Sequence, residues 1–129
     1  MPQTRIEVIA GRSPAEKRAL LDAVHGAFME AFKTPAWDNN QRLLEYPASG
    51  FDVPPGCTTK RTLIECTIYP GRSREAKKRL YRAIVAKLAA LGTPPNDVFI
   101  VLLEPPLENF GIRGGQAAGD VELGFEVRV

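Results

Sequence analysis

The chain has 129 residues, of which 44% are hydrophobic and 25% charged, enough for one domain with a core and too few for two ordinary domains. Its net charge of +2 is not concentrated in a block of one sign, so neither a nucleic acid nor an anionic membrane is expected as a partner. The apolar runs are too short to span a bilayer and the amino-terminal residues lack an apolar leader core, so a cytoplasmic location is expected.

A strand, a helix and a second strand are predicted in the first part of the chain. Residues 6–10 indicate the first strand, and Ser13-Pro14-Ala15-Glu16 has the form of a capping box with proline at the first helical position. Apolar residues then follow at helical spacing: Leu20, Val24, Phe28 and Ala31. The pattern ends near Lys33, because Thr34-Pro35 cannot continue a helix.

The same elements are predicted again after a proline-rich linker over residues 48–61. Residues 62–69 are rich in β-branched side chains and alternate in polarity, which is typical of a strand. Ser73 begins a second amphipathic helix, which is expected to stop at Gly92. Residues 98–103 form a continuous apolar run typical of a buried parallel strand. A turn over 110–115 and a strand over 121–129, which would pair with a neighbouring copy, complete the prediction.

The two sets of elements are copies of one unit. Gly11-Arg12-Ser13 returns as Gly71-Arg72-Ser73. The same offset of 60 residues pairs Lys17 with Lys77 and Leu20 with Leu80, and after a one-residue slip Asp38 matches Asp97 and Glu45 matches Glu104. A repeat of this kind organises the whole fold. We therefore predict one domain over residues 1–129, with pseudo-repeats over 1–47 and 62–106 and a C-terminal hairpin or strand over 107–129.

The predicted fold is of the α/β (α+β) class. Two fused β-α-β repeats, each with a right-handed crossover, form one four-stranded mixed sheet with both helices on one face. The second face of the sheet then stays uncovered although its strands are apolar. Because no further element remains to cover it, a second copy of the chain is the expected partner.

Pro2 is the first candidate for chemistry. Removal of Met1 would convert it from an amide into a secondary amine, and an unperturbed α-amino group has a pKa of roughly 7.7–8.0. Burial lowers that pKa and a nearby carboxylate raises it. A neutral Pro2 would act as a general base, whereas a cationic Pro2 would act as a general acid; retention of Met1 would end both roles.

The fused repeats, the proline after the initiator methionine and the Gly71-Arg72-Ser73 turn together resemble the tautomerase superfamily. Within it, the pattern of Gly11-Arg12, residues 20–27, Ala31-Phe32 and Pro35-Ala36 with Asp38 and Gln41 is similar to the malonate semialdehyde decarboxylase subgroup. The resemblance implies a homotrimer with active sites at subunit boundaries.

Arg72 and Asp38 are the other predicted catalytic residues. The Arg72 guanidinium precedes a helix N-terminus, a region suited to an anion, and a planar fork can hold a carboxylate by two hydrogen bonds. The resemblance implies that Arg72 binds a carboxylate or carbonyl oxygen and that Asp38 works beside Pro2. The second arginine of the decarboxylase pattern is missing, because the stretch reads Ile68-Tyr69-Pro70. A turn-forming role for Asp38 stays open, since Asp97 repeats it.

Phe110 and Arg113 are the predicted substrate-binding residues. They lie in the segment that resembles the pocket-lining hairpin of the family, where an aromatic ring would exclude water and Arg113 would supply a second cation. A solvated glycine-rich turn is the alternative. Glu104 matches a water-activating glutamate of the dehalogenase branch, but Glu45 occupies its place in the first repeat, which favours a structural cause equally.

The leading functional hypothesis is a cofactor-independent tautomerase, an isomerase that acts on a small oxo or enol carboxylate through Pro2, Asp38 and Arg72. The alternatives are a decarboxylase of the malonate semialdehyde type and a non-catalytic trimeric binding protein. No metal and no cofactor are expected. Cys57 and Cys66 lack metal-ligand and CxxC spacing, so they are expected to be free thiols, and the glycines match no phosphate-binding fingerprint.

Overall fold

The structure, a computed structural model, describes residues 2–129. Met1 lies outside them, and so does the hypothesis that it is removed. The main elements in chain order are β1 (Gln3–Ile9), α1 (Pro14–Phe32), β2 (Asn40–Tyr46), β3 (Thr62–Thr67), α2 (Arg74–Ala90), β4 (Val98–Leu103), β5 (Gly111–Ile112) and β6 (Gln116–Ala117). The predicted strand-helix-strand order of each repeat is confirmed, with β1 beginning three residues earlier than the apolar pattern indicated.

Strands β1 to β4 form one mixed sheet in the order β2-β1-β3-β4. The pairs β1–β2 and β3–β4 are parallel, and β1 and β3 run antiparallel at the centre. Each parallel pair is one β-α-β repeat, so the two repeats are joined about an approximate twofold axis between β1 and β3. This arrangement confirms the predicted fold class.

The helices begin as their capping residues predict. Ser13 Oγ accepts a hydrogen bond from the Glu16 backbone N–H at 3.1 Å, and Glu16 Oε1 accepts one from the Ser13 N–H at 2.9 Å, which completes a capping box. Ser73 Oγ likewise accepts from the Ala76 N–H at 3.1 Å. Helix α1 ends at Lys33, whose φ of 59° is left-handed. Each local signal therefore places one end of a helix.

The core lies between the helices and one face of the sheet. Alternate residues of β1 and β3 point into it and are fully buried, and the predicted stripes of both helices meet them. The main contributors are Ile6, Val8, Leu20, Val24, Phe28, Ile64, Leu80, Ile84 and Leu88. Truncation of one such side chain to alanine costs about 2–5 kcal/mol. Helical periodicity in the sequence therefore identified the buried faces.

The second sheet face carries no helix among the described residues, and its character changes from centre to edge. On the central strands it is polar, with Arg5 Nη2 2.7 Å from Glu65 Oε1. On the edge strand β4 it is apolar: Phe99 is 55% exposed and Leu103 43%. The expectation of an apolar second face is therefore correct only for β4, because register pairs charged residues across β1 and β3 and places Arg42 of β2 opposite Arg5.

Residues 107–129 follow the sheet as a short hairpin and an extended segment. Strands β5 and β6 form the hairpin, and residues 121–129, called here the C-terminal segment, contain no strand. The predicted strand over 121–129 is therefore wrong for this chain. The segment instead packs across the N-terminal end of α2, where the Val129 carbonyl oxygen accepts a hydrogen bond from the Ser73 N–H at 2.9 Å.

None of the helices in residues 2–129 is long and apolar enough to cross a membrane. Cys57 and Cys66 are both free thiols, and Cys66 is completely buried beneath the helices. Within the same residues, no three His, Cys, Asp or Glu side chains are grouped so that they could hold a metal ion.

Candidate active site

Pro2 is buried at the edge where β1 begins. Gln3, the next residue, pairs with Asn40 of β2 and Thr67 of β3. Because β2 is parallel and β3 antiparallel to β1, the chain just before β2 and just after β3 lies beside Pro2. These two segments carry Asp38 and Tyr69, so sheet topology assembles the candidate site from three distant parts of the sequence.

Arg72 lies on the turn between β3 and α2 with only 6% of its surface exposed. Its Nη1 donates a hydrogen bond to the Tyr69 carbonyl oxygen at 3.0 Å, and its guanidinium carbon lies 5.0 Å from the centre of the Phe32 ring. Burial lowers the pKa of Arg72, and the carboxylates of Glu104 and Asp38 oppose that shift. Arg72 Nε is buried without a hydrogen-bond partner among residues 2–129. A donor therefore remains for an incoming acceptor.

Asp38 lies in the turn between α1 and β2 and is 2% exposed. Its backbone N–H donates to the Pro35 carbonyl oxygen at 3.0 Å, and its Oδ1 accepts a hydrogen bond from Asn40 Nδ2 at 2.9 Å. Its negative charge raises the pKa of both Arg72 and Tyr69. The structure therefore places a buried carboxylate within electrostatic reach of the buried arginine, and their shared role in catalysis stays a prediction.

Tyr69 is a site residue that the sequence analysis did not select. It is 1% exposed, with the Phe110 ring edge-on at 4.8 Å and the Phe125 ring stacked at 6.5 Å between ring centres. Burial is the main cause that raises the pKa of its phenol; the Asp38 charge adds to the shift, and Arg113 and Arg72 oppose it. The sequence did offer one indication, because Tyr69 lies in the stretch Ile68-Tyr69-Pro70 that lacks the expected second arginine.

Phe110 and Arg113 lie on the hairpin side of the site. Phe110 is partly buried against Tyr69. Arg113 is exposed, and its guanidinium donates to the backbone carbonyl oxygens of Glu122 at 2.5 Å and Leu123 at 3.4 Å. Arg113 therefore holds the start of the C-terminal segment, and its predicted contact with substrate stays a prediction.

The C-terminal segment covers the site. Phe125 packs between Tyr69 and Trp37, whose ring centre is 6.3 Å from that of Phe125. A Cβ atom built on Gly71 would lie 3.2 Å from the Val127 carbonyl oxygen, so the segment passes directly over the turn that precedes Arg72. This cover helps to shield Tyr69 and the turn before Arg72 from water.

The turn before α1, which carries Arg12, differs from the matching turn before α2, which carries Arg72. Glu16 fills the α1 N-terminus with its own carboxylate, whereas its counterpart in α2 is Ala76, and the Ser73 N–H donates to the Val129 carbonyl oxygen instead. A separate cavity of about 330 Å³ borders Arg12, which is only partly buried. The two arginines of the repeat are therefore not equivalent, and Arg72 is the buried one.

Glu104 forms an ion pair with Lys77, and Glu45 forms the matching pair with Lys17 at 2.9 Å. Because both repeats contain the same pair, the structural explanation of Glu104 is the stronger one. The pair ties each helix to the end of the strand that follows it.

Two fused β-α-β repeats with a buried arginine and proline at one end of a mixed sheet define the tautomerase class of fold. The chain belongs to the tautomerase family: a family model described as tautomerase enzyme matches residues 38–113, more than half of the chain. The probable tautomerases YusQ and YrdN of Bacillus subtilis (strain 168) are 30% and 26% identical to it, over 91% of this chain in each case and 97% and 95% of their own lengths.

Solved structures show the same fold. A malonate semialdehyde decarboxylase superposes with a TM-score of 0.83 at 26% identity, over 92% of this chain and 98% of its own. The FG41 malonate semialdehyde decarboxylase inhibited by 3-bromopropiolate gives 0.75 at 30% identity, over 93% and 98%. A fused 4-OT, described as a symmetric trimer, gives 0.80 at 28% identity, over 90% and 95%. The chain is thus an enzyme of the tautomerase superfamily by family and by fold.

Proposed function

We propose that the protein is a cofactor-independent tautomerase that interconverts the keto and enol forms of a small carboxylate. The observation that carries the proposal is the burial of Pro2, Asp38 and Arg72 at one end of the sheet. Loss of Met1 would give Pro2 a free secondary amine in a buried position, and burial favours its neutral, basic form. Membership of the tautomerase family supports this assignment.

The reaction needs one proton and no other reagent. Neutral Pro2 takes a proton from the carbon beside the substrate carbonyl, and the bonding electrons move onto the carbonyl oxygen to give an enolate. Arg72 stabilises the charge on that oxygen or holds the substrate carboxylate. The protonated Pro2 then returns the proton to the enolate oxygen, and the reverse sequence converts the enol back to the ketone.

Asp38 would set the protonation of Pro2. A buried carboxylate raises the pKa of a nearby amine, while burial of the amine lowers it, so the balance decides between base and acid chemistry. The favoured balance is a neutral Pro2, because the Asp38 charge also acts on Arg72 and Tyr69: it opposes the lowering of the Arg72 pKa by burial and adds to the raised pKa of Tyr69.

Decarboxylation of a 3-oxo acid such as malonate semialdehyde is the second candidate. The burial of Asp38 and Arg72 supports it, because a carboxylate that keeps Pro2 cationic would let Pro2 protonate the enolate carbon that remains when carbon dioxide leaves. The structural likeness to malonate semialdehyde decarboxylase points the same way. The missing second arginine places this candidate behind the tautomerase.

A trimer is part of the proposal. The exposed apolar edge formed by Phe99 and Leu103 needs a cover, and the related fused 4-OT structures are described as trimers. A neighbouring copy seated on this face would bury both side chains.

The test begins with the intact mass of the purified protein, which should lack the initiator methionine. Ketonisation of an enol carboxylate, such as the enol of phenylpyruvate, is then compared with carbon dioxide release from malonate semialdehyde. Faster ketonisation supports the tautomerase. Carbon dioxide release with negligible ketonisation would favour the decarboxylase, and a retained methionine would remove Pro2 from either mechanism.

A further inference from the structure

The Tyr69 hydroxyl is a buried polar group that the proposed mechanism does not use. The side chain is 1% exposed, and its oxygen has no hydrogen-bond partner among residues 2–129. Buried tyrosine hydroxyls almost always have a partner, and an unpartnered one destabilises the fold. A group retained at such a cost is a candidate for contact with a ligand.

The ring of Tyr69 is fixed in place. Phe110 packs against it edge-on, Phe125 stacks on it with an angle of 18° between ring planes, and both contacts hold the hydroxyl in one direction. Its own carbonyl oxygen accepts the hydrogen bond that orients Arg72. Tyr69 therefore supports the arginine through its backbone and leaves its side-chain donor unused.

A second unused donor lies on the neighbouring residue of the site. Arg72 Nε is buried and has no partner within the described chain. The charges of Asp38, Arg72 and Arg113 all act on the Tyr69 phenol, which places that hydroxyl inside the charged cluster of the site. An N–H and an O–H that both lack acceptors match a ligand that offers oxygen atoms.

We propose that Tyr69 contacts the substrate, and that its hydroxyl donates a hydrogen bond to the carbonyl or enolate oxygen of the carboxylate that Arg72 binds. This inference rests on the proposed function and extends it. Tyr69 lies in the stretch Ile68-Tyr69-Pro70, where the decarboxylase pattern has its second arginine, and supplies a neutral donor there. Burial and the Asp38 charge keep the phenol protonated, and a protonated phenol is the form that donates.

The replacement predicts a substrate class. The negative charges of Glu104 and Asp38 both act on Arg72, and Arg113 is engaged with backbone carbonyl groups. With one fewer cation than the decarboxylase pattern, the site balances a single substrate carboxylate better than two. A 2-oxo or enol monocarboxylate is therefore the expected substrate, and a dicarboxylate should be processed less efficiently.

The experiment compares Tyr69→Phe with the parent protein and with Tyr81→Phe. Tyr81 is 37% exposed on α2, so it provides the same chemical change on the surface. For ketonisation of the enol of phenylpyruvate, kcat/KM should fall about 10- to 100-fold in Tyr69→Phe, since the lost hydrogen bond goes to a developing charge, and should stay at the parent value in Tyr81→Phe. The melting temperature of Tyr69→Phe should equal or exceed that of the parent, because an unpartnered buried hydroxyl is removed.

Two results would overturn the role of Tyr69. One is a Tyr69→Phe protein with the kcat/KM of the parent. The other is a fall in activity that is accompanied by an equal loss of folded protein, which would identify a structural hydroxyl. The ratio of monocarboxylate to dicarboxylate kcat/KM tests the substrate class: a parent protein that prefers the enol of oxaloacetate contradicts it.

Failure of the proposed function is distinguishable from failure of this inference. If Pro2→Ala ketonises as fast as the parent, or if the parent is inactive, the role of Pro2 is refuted while Tyr69 is tested by binding alone. Pyruvate, a 2-oxo monocarboxylate, should then bind the parent about tenfold more tightly than Tyr69→Phe in a calorimetric titration. Equal dissociation constants, or no binding to the parent, would overturn the inference about Tyr69.

Discussion

Asp38 and Asp97 occupy the same place in the two repeats, but they are held by different parts of the chain. Asp97 is completely buried, and its carboxylate accepts hydrogen bonds from both the backbone N–H of Thr58, at 2.7 Å, and the Thr58 hydroxyl. Asp38 accepts a hydrogen bond from Asn40 and faces the site of Arg72 and Tyr69. The linker between the repeats therefore secures one aspartate, while the other belongs to the candidate active site.

This difference predicts that replacing Asp97 lowers stability, whereas replacing Asp38 lowers activity. Asp97→Ala should lower the free energy of unfolding by about 2 kcal/mol, because it removes the charged acceptor of two Thr58 hydrogen bonds from a completely buried position. Asp38→Asn should keep most of the stability but lose activity. Urea unfolding and enol ketonisation, measured on both variants, check the prediction. Equal stability losses with unchanged activity in Asp38→Asn would assign Asp38 a structural role.

The two repeat arginines provide a second matched pair. Arg72→Gln should lower kcat/KM about 100-fold, the usual effect of removing one donor to a developing oxyanion. Arg12→Gln should stay within about twofold of the parent, because Arg12 lies beside a separate cavity at the other repeat turn. Steady-state kinetics on the two variants decides the matter. An equal loss in both would mean that the arginines act on the overall charge of the protein rather than on a bound substrate.

The glycines before these arginines test the cover formed by the C-terminal segment. Gly71 and Gly11 have φ angles of +131° and +142°, so alanine is strained at both. In Gly71→Ala, the new methyl group would also meet Val127 at 3.2 Å, whereas nothing lies within 4 Å of the matching position at Gly11. Hydrogen exchange over residues 121–129 should therefore accelerate in Gly71→Ala and stay unchanged in Gly11→Ala. Faster exchange in both variants would contradict the contact.

The cysteines should differ sharply in reactivity. Burial raises the pKa of the Cys66 thiol to about 12, and Cys57 is partly exposed. Since the thiolate is the reactive form, iodoacetamide at pH 8 should label Cys57 in the folded protein and Cys66 only after unfolding. Peptide mass spectrometry locates the label. Labelling of Cys66 at the rate of Cys57 in native buffer would show that the core opens far more often than its packing allows.

The raised pKa of Cys66 also makes the stability of the fold depend on pH. The stabilisation from keeping the thiol protonated in the fold is fully present below the pKa of the unfolded thiol, ordinarily about 8.5. It is lost as the pH rises from there through the folded value of about 12. Urea midpoints at pH 8 and pH 10 should therefore differ less in Cys66→Ala than in the parent.

The apolar edge of the uncovered sheet face predicts the assembly. Phe99→Asp should leave the fold intact, because Phe99 is 55% exposed in the single chain, and should shift the protein from trimer to monomer. Light scattering coupled to gel filtration reports the mass. A Phe99→Asp protein with the mass of the parent would remove this edge from the interface.

Local signals in the sequence predicted the fold well. Capping residues, prolines and helical periodicity act over a few positions, so Ser13, Thr34-Pro35 and Gly92 place helix ends without knowledge of the rest. The repeat then predicted the sheet, since two similar units imply matching strands and crossovers in both halves. Charged pairs on the second face, such as Arg5 with Glu65, depend on register between distant strands, which no local pattern gives.

The site was predictable where it coincided with the repeat and the family resemblance, and less so elsewhere. Arg72 stands in the repeated turn, and the structure buries it there, while its contact with a substrate stays a prediction. Tyr69 reads in the sequence as one more alternating strand residue, because its burial depends on Phe110 and Phe125. The C-terminal segment has no periodicity of its own, and its path is set by contacts with Arg113 and Ser73.

The most direct test of the account is kcat/KM of Pro2→Ala for enol ketonisation, relative to the parent, with loss of Met1 verified in both proteins by intact mass. The account predicts a fall of about 100-fold, because the primary amine of alanine replaces the secondary amine that moves the proton. The melting temperature should not change. A Pro2→Ala protein with parental activity would contradict the central claim that the amino-terminal proline performs the chemistry.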